Sequence, residues 1–277
     1  MLNKKKFLID NLKCCHKKTN FSKICKICNL RIIDDILCFE NYNNQDIEKE
    51  NVKIKLNLTA WKKYNFQKVE SELKSKSKLK ILDIGSGRHF IEDRFPELKK
   101  NDFFRLDLAN RGYVDIIADL QKDNYFNNCF DAVICLNVLE HVYSFREFFK
   151  NMSGLVKKDG ILMLSVPYSS GLHYLPHDYF RISHYALKKL LYENNFNIRS
   201  LEAFYQPNIN KIVKIFKSLN NKSFLSKILE KFIILQIRIY NKLYNVKMGN
   251  ELIDDVNPDQ KKLYSEPMGY FVIAIKN

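Results

Sequence analysis

Three aspartates, two glycines and an asparagine stand at intervals that suit a nucleotide-shaped ligand: Asp83, Gly85, Gly87, Asp107, Asp119 and Asn137. Gly85 and Gly87 let the chain turn tightly and approach a ligand without a Cβ in the way. Asp107 follows Asp83 by 24 positions, close to the ~20-residue step at which an acid takes ribose hydroxyls. A carboxylate suits that task because it accepts two hydrogen bonds from a vicinal diol. One acid at a strand end is unremarkable, and the ordered series is what argues for a site. A second group, His173, Asp178 and His141, could handle a proton, histidine being the side chain best poised for that near neutrality. A third lies near the start of the chain, where Cys25-Lys26-Ile27-Cys28 has the spacing at which two thiolates grip one tetrahedral zinc.

Short apolar runs must position these residues. Leu79–Ile84, Phe103–Leu106, Val114–Leu120 and Phe130–Cys135 are each bounded by turn residues or acids, and read as buried parallel strands. In an open α/β sheet the ligand lies beyond the carboxyl ends of such strands, where the glycines and acids fall. Ile161–Val166, Phe196–Phe204 and Met268–Lys276 supply a fifth, sixth and seventh strand, with Lys157 to Gly160 as the loop before the fifth. Residues 60 to 78 read as a helix in which Trp61 either packs or stacks on a ligand. Ser183 caps a helix over 184–194. The expected fold is α/β, a Rossmann-like doubly wound seven-stranded sheet. Its expected divisions are a small ribbon over 1–40, a linker over 41–59, a core over 60–205, a helical insertion over 206–265, and a final core strand over 266–277.

The ordered motifs resemble those of the class I S-adenosylmethionine-dependent methyltransferases, type 11 branch. Asp83-Ile84-Gly85-Ser86-Gly87 matches the first motif of that family, Asp107 the second and Asp119-Leu120 the third. Cys129 to Val133 with Val138-Leu139-Glu140-His141-Val142 matches the fourth, although His89 stands where a dinucleotide fingerprint has its third glycine. The resemblance implies that Gly85 and Gly87 line the methionine end of the cofactor, with Asp83 near its amino group and Asp107 on the ribose. It puts Asp119 and the Leu120 backbone at the adenine, and Asn137 under the sulfonium. The segment over 12–37 resembles the zinc ribbon that precedes some of these domains. Lys17 stands where that ribbon has its second cysteine, so Cys14, His16, Cys25 and Cys28 form one candidate zinc set and a metal-free hairpin is the alternative.

After the fifth strand, His173 to Ser183 resembles a His-x-x-Pro-x-Asp-Tyr-Phe/Trp-Arg-Phe-Thr signature of bacterial methyltransferases encoded with surface-polysaccharide genes. It implies a sugar or lipid-linked glycan as acceptor, with His173 first among the candidate bases. Asp178 then either shares that role or simply pairs with Arg181. An RNA methyltransferase using the basic ribbon is the competing expectation, and a retained fold acting as scaffold a third.

Charge narrows the partners. The chain carries a net +15. Residues 1–30 hold eight lysines against one acid, and residues 205–247 nine basic residues against one, so the two segments account for the whole excess. Basic amphipathic stretches such as 206–247 suit the surface of an anionic membrane, and a basic ribbon suits RNA phosphates. No run of ~18 uncharged apolar residues is present and the start lacks an apolar signal segment. The expectation is a cytoplasmic protein, peripheral to the membrane if it meets one, whose cysteines are thiols or metal ligands.

Overall fold

A computed structural model describes residues 2–12, 30–33, 36–39, 59–87, 90–109, 113–122, 125–204, 231–232, 235, 250–252 and 267–277. Ten strands among these form one sheet. They are β1 (Arg31–Ile33), β2 (Ile36–Cys38), β3 (Lys80–Ile84), β4 (Asp102–Asp107), β5 (Ile116–Ile117), β6 (Phe130–Leu136), β7 (Val156–Pro167), β8 (Phe196–Phe204), β9 (Asn250–Leu252) and β10 (Gly269–Lys276). Their spatial order is β1-β2-β5-β4-β3-β6-β7-β10-β8-β9. The seven expected strands are the contiguous middle, β5 to β8. The parallel series β5-β4-β3-β6-β7 is followed by β10, antiparallel to both β7 and β8.

The strands have an obvious cause in sequence. Ile81, Leu82, Ile84, Phe104, Val133, Ile134 and Leu164 are all essentially without exposed surface, as parallel strands covered on both faces must be. One face carries α1 (Leu2–Asp10), α4 (Phe145–Ser153) and α5 (His184–Glu193), which bury Leu8, Phe149 and Leu187 in one cluster with Leu82, Phe104 and Phe130. The other carries α2 (Ala60–Leu73) and α3 (Ile91–Arg94), whose Val69, Leu73 and Ile91 meet Ile81 and Phe271. Thr59 caps α2, its hydroxyl accepting from the Lys62 N–H at 3.2 Å, and Ser183 caps α5 by accepting from the Ala186 N–H at 3.3 Å.

Three features depart from the sequence reading. The third run shrinks to Ile116–Ile117, because the Asp115 carboxylate takes the Arg105 N–H at 2.9 Å and turns the chain just before the strand. Lys157 to Gly160, expected as a loop, lie inside a longer β7. The ladder to β6 slips there, Asp159 turns left-handed at φ 61°, and a Cβ on Gly160 would come within 2.8 Å of the Lys157 carbonyl. The sheet also extends past its expected edges. The hairpin β1–β2 adds to β5 through parallel pairing of Leu37 with Ile116, and β9, inside the segment expected to be helical, pairs with β8.

Most of 206–265, the linker over 41–58, His89 and the candidate zinc set Cys14, His16, Cys25 and Cys28 lie outside the described residues. Lys231, Phe232 and Leu235 are helical. Among the described residues no helix is long and apolar enough to cross a membrane.

Candidate active site

The sheet reverses its winding between β3 and β6, and a cleft opens at the carboxyl ends of the strands there, as the topology demands. It has two joined lobes. The first, about 570 Å³, is lined by Asp107, Asp119, Leu120, Phe148, Tyr143 and Tyr179. The second, about 520 Å³, is lined by Asp83, Trp61, Asn65, Glu140, Ser170 and His173. Gly85, Gly87, Asn137, His141 and Tyr174 face both. All seven residues expected at the cofactor therefore lie on one cleft.

The local backbone explains the glycines. Both are left-handed, Gly85 at φ 65° and Gly87 at φ 61°. A Cβ on Gly85 would sit 2.7 Å from Val138 Cγ2, whereas nothing lies within 4 Å of one on Gly87. The first glycine is needed for packing against the β6 end, and the second leaves room for a ligand.

Asn137, at φ 56°, holds the β6 end in a turn. Its N–H donates to the Ser165 carbonyl at 3.0 Å, and its Oδ1 accepts from the Trp61 indole N–H at 2.7 Å. Trp61 is half-buried and stacks near Tyr64 and Phe204. It packs and lines the cleft together, fixing a site residue from a helix outside the strand-end motifs.

Charges in the cleft are tuned by burial. Asp83 is 4% exposed. Burial pushes its carboxyl up to about 7, against the pull of Arg105 and with the repulsion of Asp107. Asp119 Oδ1 accepts from the Gln121 N–H at 3.0 Å, and its Oδ2 lies 3.9 Å from the Lys122 ammonium.

The loop from Ser170 to Phe180 folds over the second lobe. Asp178 does not reach the cleft as a base. Its buried carboxylate receives two hydrogen bonds from Arg181, at 2.6 and 2.8 Å, and one from the His173 N–H at 2.9 Å. The Arg181 guanidinium holds it far below the usual carboxylate range. Its remaining role is to steady His173, whose Nδ1 lies 3.1 Å from the Gly171 carbonyl and 3.4 Å from Asp178 Oδ2. An acceptor on that side assigns the neutral ring's proton to Nδ1 and leaves Nε2 as a lone pair. His141 is held the same way, Nδ1 lying 2.6 Å from the His177 carbonyl. Burial lowers its pKa, partly opposed by that hydrogen bond.

Between the two rings lies Glu140, which the sequence offers only as part of a motif. It is 1% exposed and burial pushes its carboxyl up to about 8. The signal for it was an acid in the turn four positions past the end of β6. Its burial depends on the loop above it, whose Tyr179 and Phe180 N–H groups donate to the Glu140 carbonyl.

A family model described as a methyltransferase domain matches residues 59–204, the stretch that contains the sheet centre and this cleft. The chain belongs to that family, the S-adenosylmethionine-dependent methyltransferases of class I. Among curated proteins it is similar to the ubiquinone biosynthesis O-methyltransferases of Rickettsia felis and Rickettsia prowazekii, each 30% identical over 118 residues. These matches cover 37% of this chain and 47% and 45% of those proteins, so the chain spans about half the length of the curated relatives it matches. Among solved structures, a 1,6-didemethyltoxoflavin-N1-methyltransferase from Burkholderia thailandensis is 14% identical, with a TM-score of 0.49 and 79% of each chain covered. An S-adenosylmethionine-dependent methyltransferase from Archaeoglobus fulgidus is 17% identical, with a TM-score of 0.47, covering 78% of this chain and 95% of that one.

The residues present fit S-adenosylmethionine: open space beside Gly87, a carboxylate at the β4 end and another after β5, and a buried acid next to the glycine turn. When bound, the cofactor supplies an electrophilic methyl group on a sulfonium.

Proposed function

We propose that the chain methylates a hydroxyl oxygen on an acceptor that carries a lipid tail, a sugar of a lipid-linked glycan being the acceptor its loop motif suggests. The observation that carries this reading is the His173 imidazole, with its Nδ1 side engaged and its Nε2 lone pair on the lobe beside the cofactor half of the cleft. Methyl transfer to oxygen requires loss of a proton, and a neutral imidazole suits that near pH 7. Asp83, Gly85 and Gly87 would hold the cofactor's methionine end, Asp107 its ribose, and Asp119 with Leu120 its adenine. Asn137, tied to Trp61, would hold the wall beneath the sulfonium, keeping acceptor and methyl at near-attack distance.

An apolar portion of the acceptor is supported by the mouth of the cleft. Tyr143 and Tyr174, which line it, are 71% and 61% exposed, and Leu172 and Leu175, close to Tyr174 in sequence, are 73% and 68% exposed, a run of large apolar side chains left open to solvent. The net +15 charge suits an acceptor presented at an anionic membrane surface, which the basic stretch 206–247 would contact. The relatives named for ubiquinone biosynthesis favour a second reading, in which the hydroxyl belongs to a quinone-type ring. Tritium from labelled S-adenosylmethionine, followed into fractionated lysate of source cells depleted of this protein, separates them. Label in a glycolipid fraction supports the first, and label in a quinone fraction the second. Nuclease-sensitive label overturns both in favour of RNA.

A further inference from the structure

Glu140, His141 and His173 present a problem that hydrogen bonding alone does not solve. His141 Nε2 lies 3.7 Å and His173 Nε2 3.8 Å from the same Glu140 oxygen. Each ring has its Nδ1 against an oxygen acceptor, the His177 carbonyl for His141 and the Gly171 carbonyl with Asp178 for His173. Both Nε2 atoms are therefore lone-pair donors in the neutral rings. Neither Glu140 carboxylate oxygen has a hydrogen-bond partner, although both are buried. Three lone-pair groups thus converge, their ligand atoms within 4.8 Å of one another. A single proton bridges only two of them, and unpaired buried acceptors are costly.

We infer that this junction is a site for one borderline divalent cation, of which Zn²⁺ is the type. Two imidazoles and a carboxylate form a donor set that zinc and its neighbours accept. Bonds of ~2.1 Å around a tetrahedral ion place ligand atoms about 3.4 Å apart, and the two Glu140–imidazole distances, 3.7 and 3.8 Å, are already near that spacing. The surroundings have the character of a built site. Metal-bound histidines almost always give their second ring N–H to a carbonyl or a carboxylate, which fixes tautomer and ring orientation, and both rings here do so. The rings stand nearly perpendicular, at 82° with centroids 4.8 Å apart, and the Nε2 atom of each lies within 4 Å of the same Glu140 oxygen. Asp178, locked by Arg181, supports the His173 side. All three residues line the second lobe, so an ion held by them would stand at its wall, open to an acceptor bound there.

For the purpose of the cation, though not for its presence, the inference rests on the O-methylation reading. With the ion bound, His173 becomes a ligand, and the acceptor hydroxyl is acidified by coordination instead of by a free imidazole. Its proton passes to solvent water. The oxygen–carbon bond forms as the sulfur–carbon bond breaks, and S-adenosylhomocysteine leaves.

The test is Zn²⁺ equilibrium dialysis of the chelator-treated full chain beside Glu140→Gln and His173→Ala, with neither cofactor nor acceptor present. Any zinc held by the cysteines near the start of the chain is common to all three proteins and cancels. The expected result is that wild type binds about one equivalent more than either variant, while both variants keep wild-type affinity for S-adenosylhomocysteine, which reports that they are folded. Should one variant fail to fold, the other decides. Cobalt substitution gives a second readout, because the wild-type minus variant spectrum should show d–d bands without thiolate charge transfer. Equal zinc content in all three proteins, or a thiolate signature in the difference, overturns the site. Zinc binding at this cluster in a chain that methylates no hydroxyl would sink the function proposed above and leave the metal site standing.

Discussion

Replacing Asp83 by Asn should strengthen the protein and weaken its site, with opposite dependences on pH. The carboxyl lies within the β3 ladder, is 4% exposed, and titrates at about 7 because of that burial. An unfolded aspartate titrates near 3.9. Between those two values the folded chain holds a proton that the unfolded chain has lost, so stability falls as pH rises through that window. The limiting slope is about 1.4 kcal/mol per pH step, which caps the loss at roughly 4 kcal/mol by pH 7. Structural relaxation and water entry in the open cleft reduce this to an expected ~2 kcal/mol. Asn has nearly the same shape and no titration, so Asp83→Asn should unfold at higher denaturant than wild type at pH 8 and show little difference at pH 4.5. Binding runs the other way, since a cationic amino group needs the ionised acid. About a tenth of Asp83 is ionised at pH 6 and nine-tenths at pH 8, so apparent affinity should rise about ninefold over that range. In the variant it should be flat and ~10- to 100-fold weaker at pH 8. Calorimetry with S-adenosylhomocysteine at three pH values, paired with urea titrations, measures both. A wild-type affinity independent of pH, or a variant that keeps the slope, refutes the assignment of Asp83 to the cofactor's amino group.

Other perturbations reach other parts of the argument. His173→Ala should lower turnover by ~10²-fold or more with cofactor affinity little changed, and near-normal turnover removes His173 from the chemistry. Gly85→Ala places a Cβ 2.7 Å from Val138 Cγ2 at φ 65°. Left-handed strain and overpacking together should cost ~2–4 kcal/mol and weaken S-adenosylhomocysteine binding by at least ~10-fold, so a thermal melt and a titration at wild-type values would contradict the packing described. Trp61→Phe keeps the ring stack but removes the N–H that Asn137 accepts, for an expected ~1–2 kcal/mol loss in urea denaturation; no loss would mean that solvent replaces the indole. Deleting residues 1–12 strips Leu8, Leu12 and Phe7 from the core. That should cost ~4–6 kcal/mol, and a melting temperature within a few degrees of wild type would show α1 to be peripheral.

Much of this was legible before any coordinates, for a physical reason. A parallel strand buried on both faces must be apolar throughout, so Leu79–Ile84 and Phe130–Cys135 declare themselves, and the residues that follow them must face the cleft. The Asp178–Arg181 pair and the Ser183 cap were readable because each spans only three positions. What depends on distant partners was not readable. Glu140 becomes a site residue only when the loop after β7 folds over it. The edge pairing of Leu37 with Ile116 joins residues 79 apart, and neither neighbourhood announces the other. Trp61 was ambiguous because its partner, Asn137, lies 76 residues away.

The docking of the earliest segment has a consequence for how the chain is made. Leu12 bridges to Phe126, and Phe7 lies between Phe104 and Phe130 at centroid distances of 5.0 and 5.8 Å. A ribosome adding about 5–20 residues per second takes roughly 6–25 s to travel from the first of these partners to the last. During that interval the apolar face of α1 has emerged without the surface that covers it, and the β2 edge of the β1–β2 hairpin waits from residue 38 until β5 is made. Bare strand edges invite pairing with other chains, so nascent copies are most exposed to one another before β6 is complete. Slowing translation between residues 40 and 130 should lengthen that exposure and lower the soluble yield, while the same delay placed after residue 140 should not.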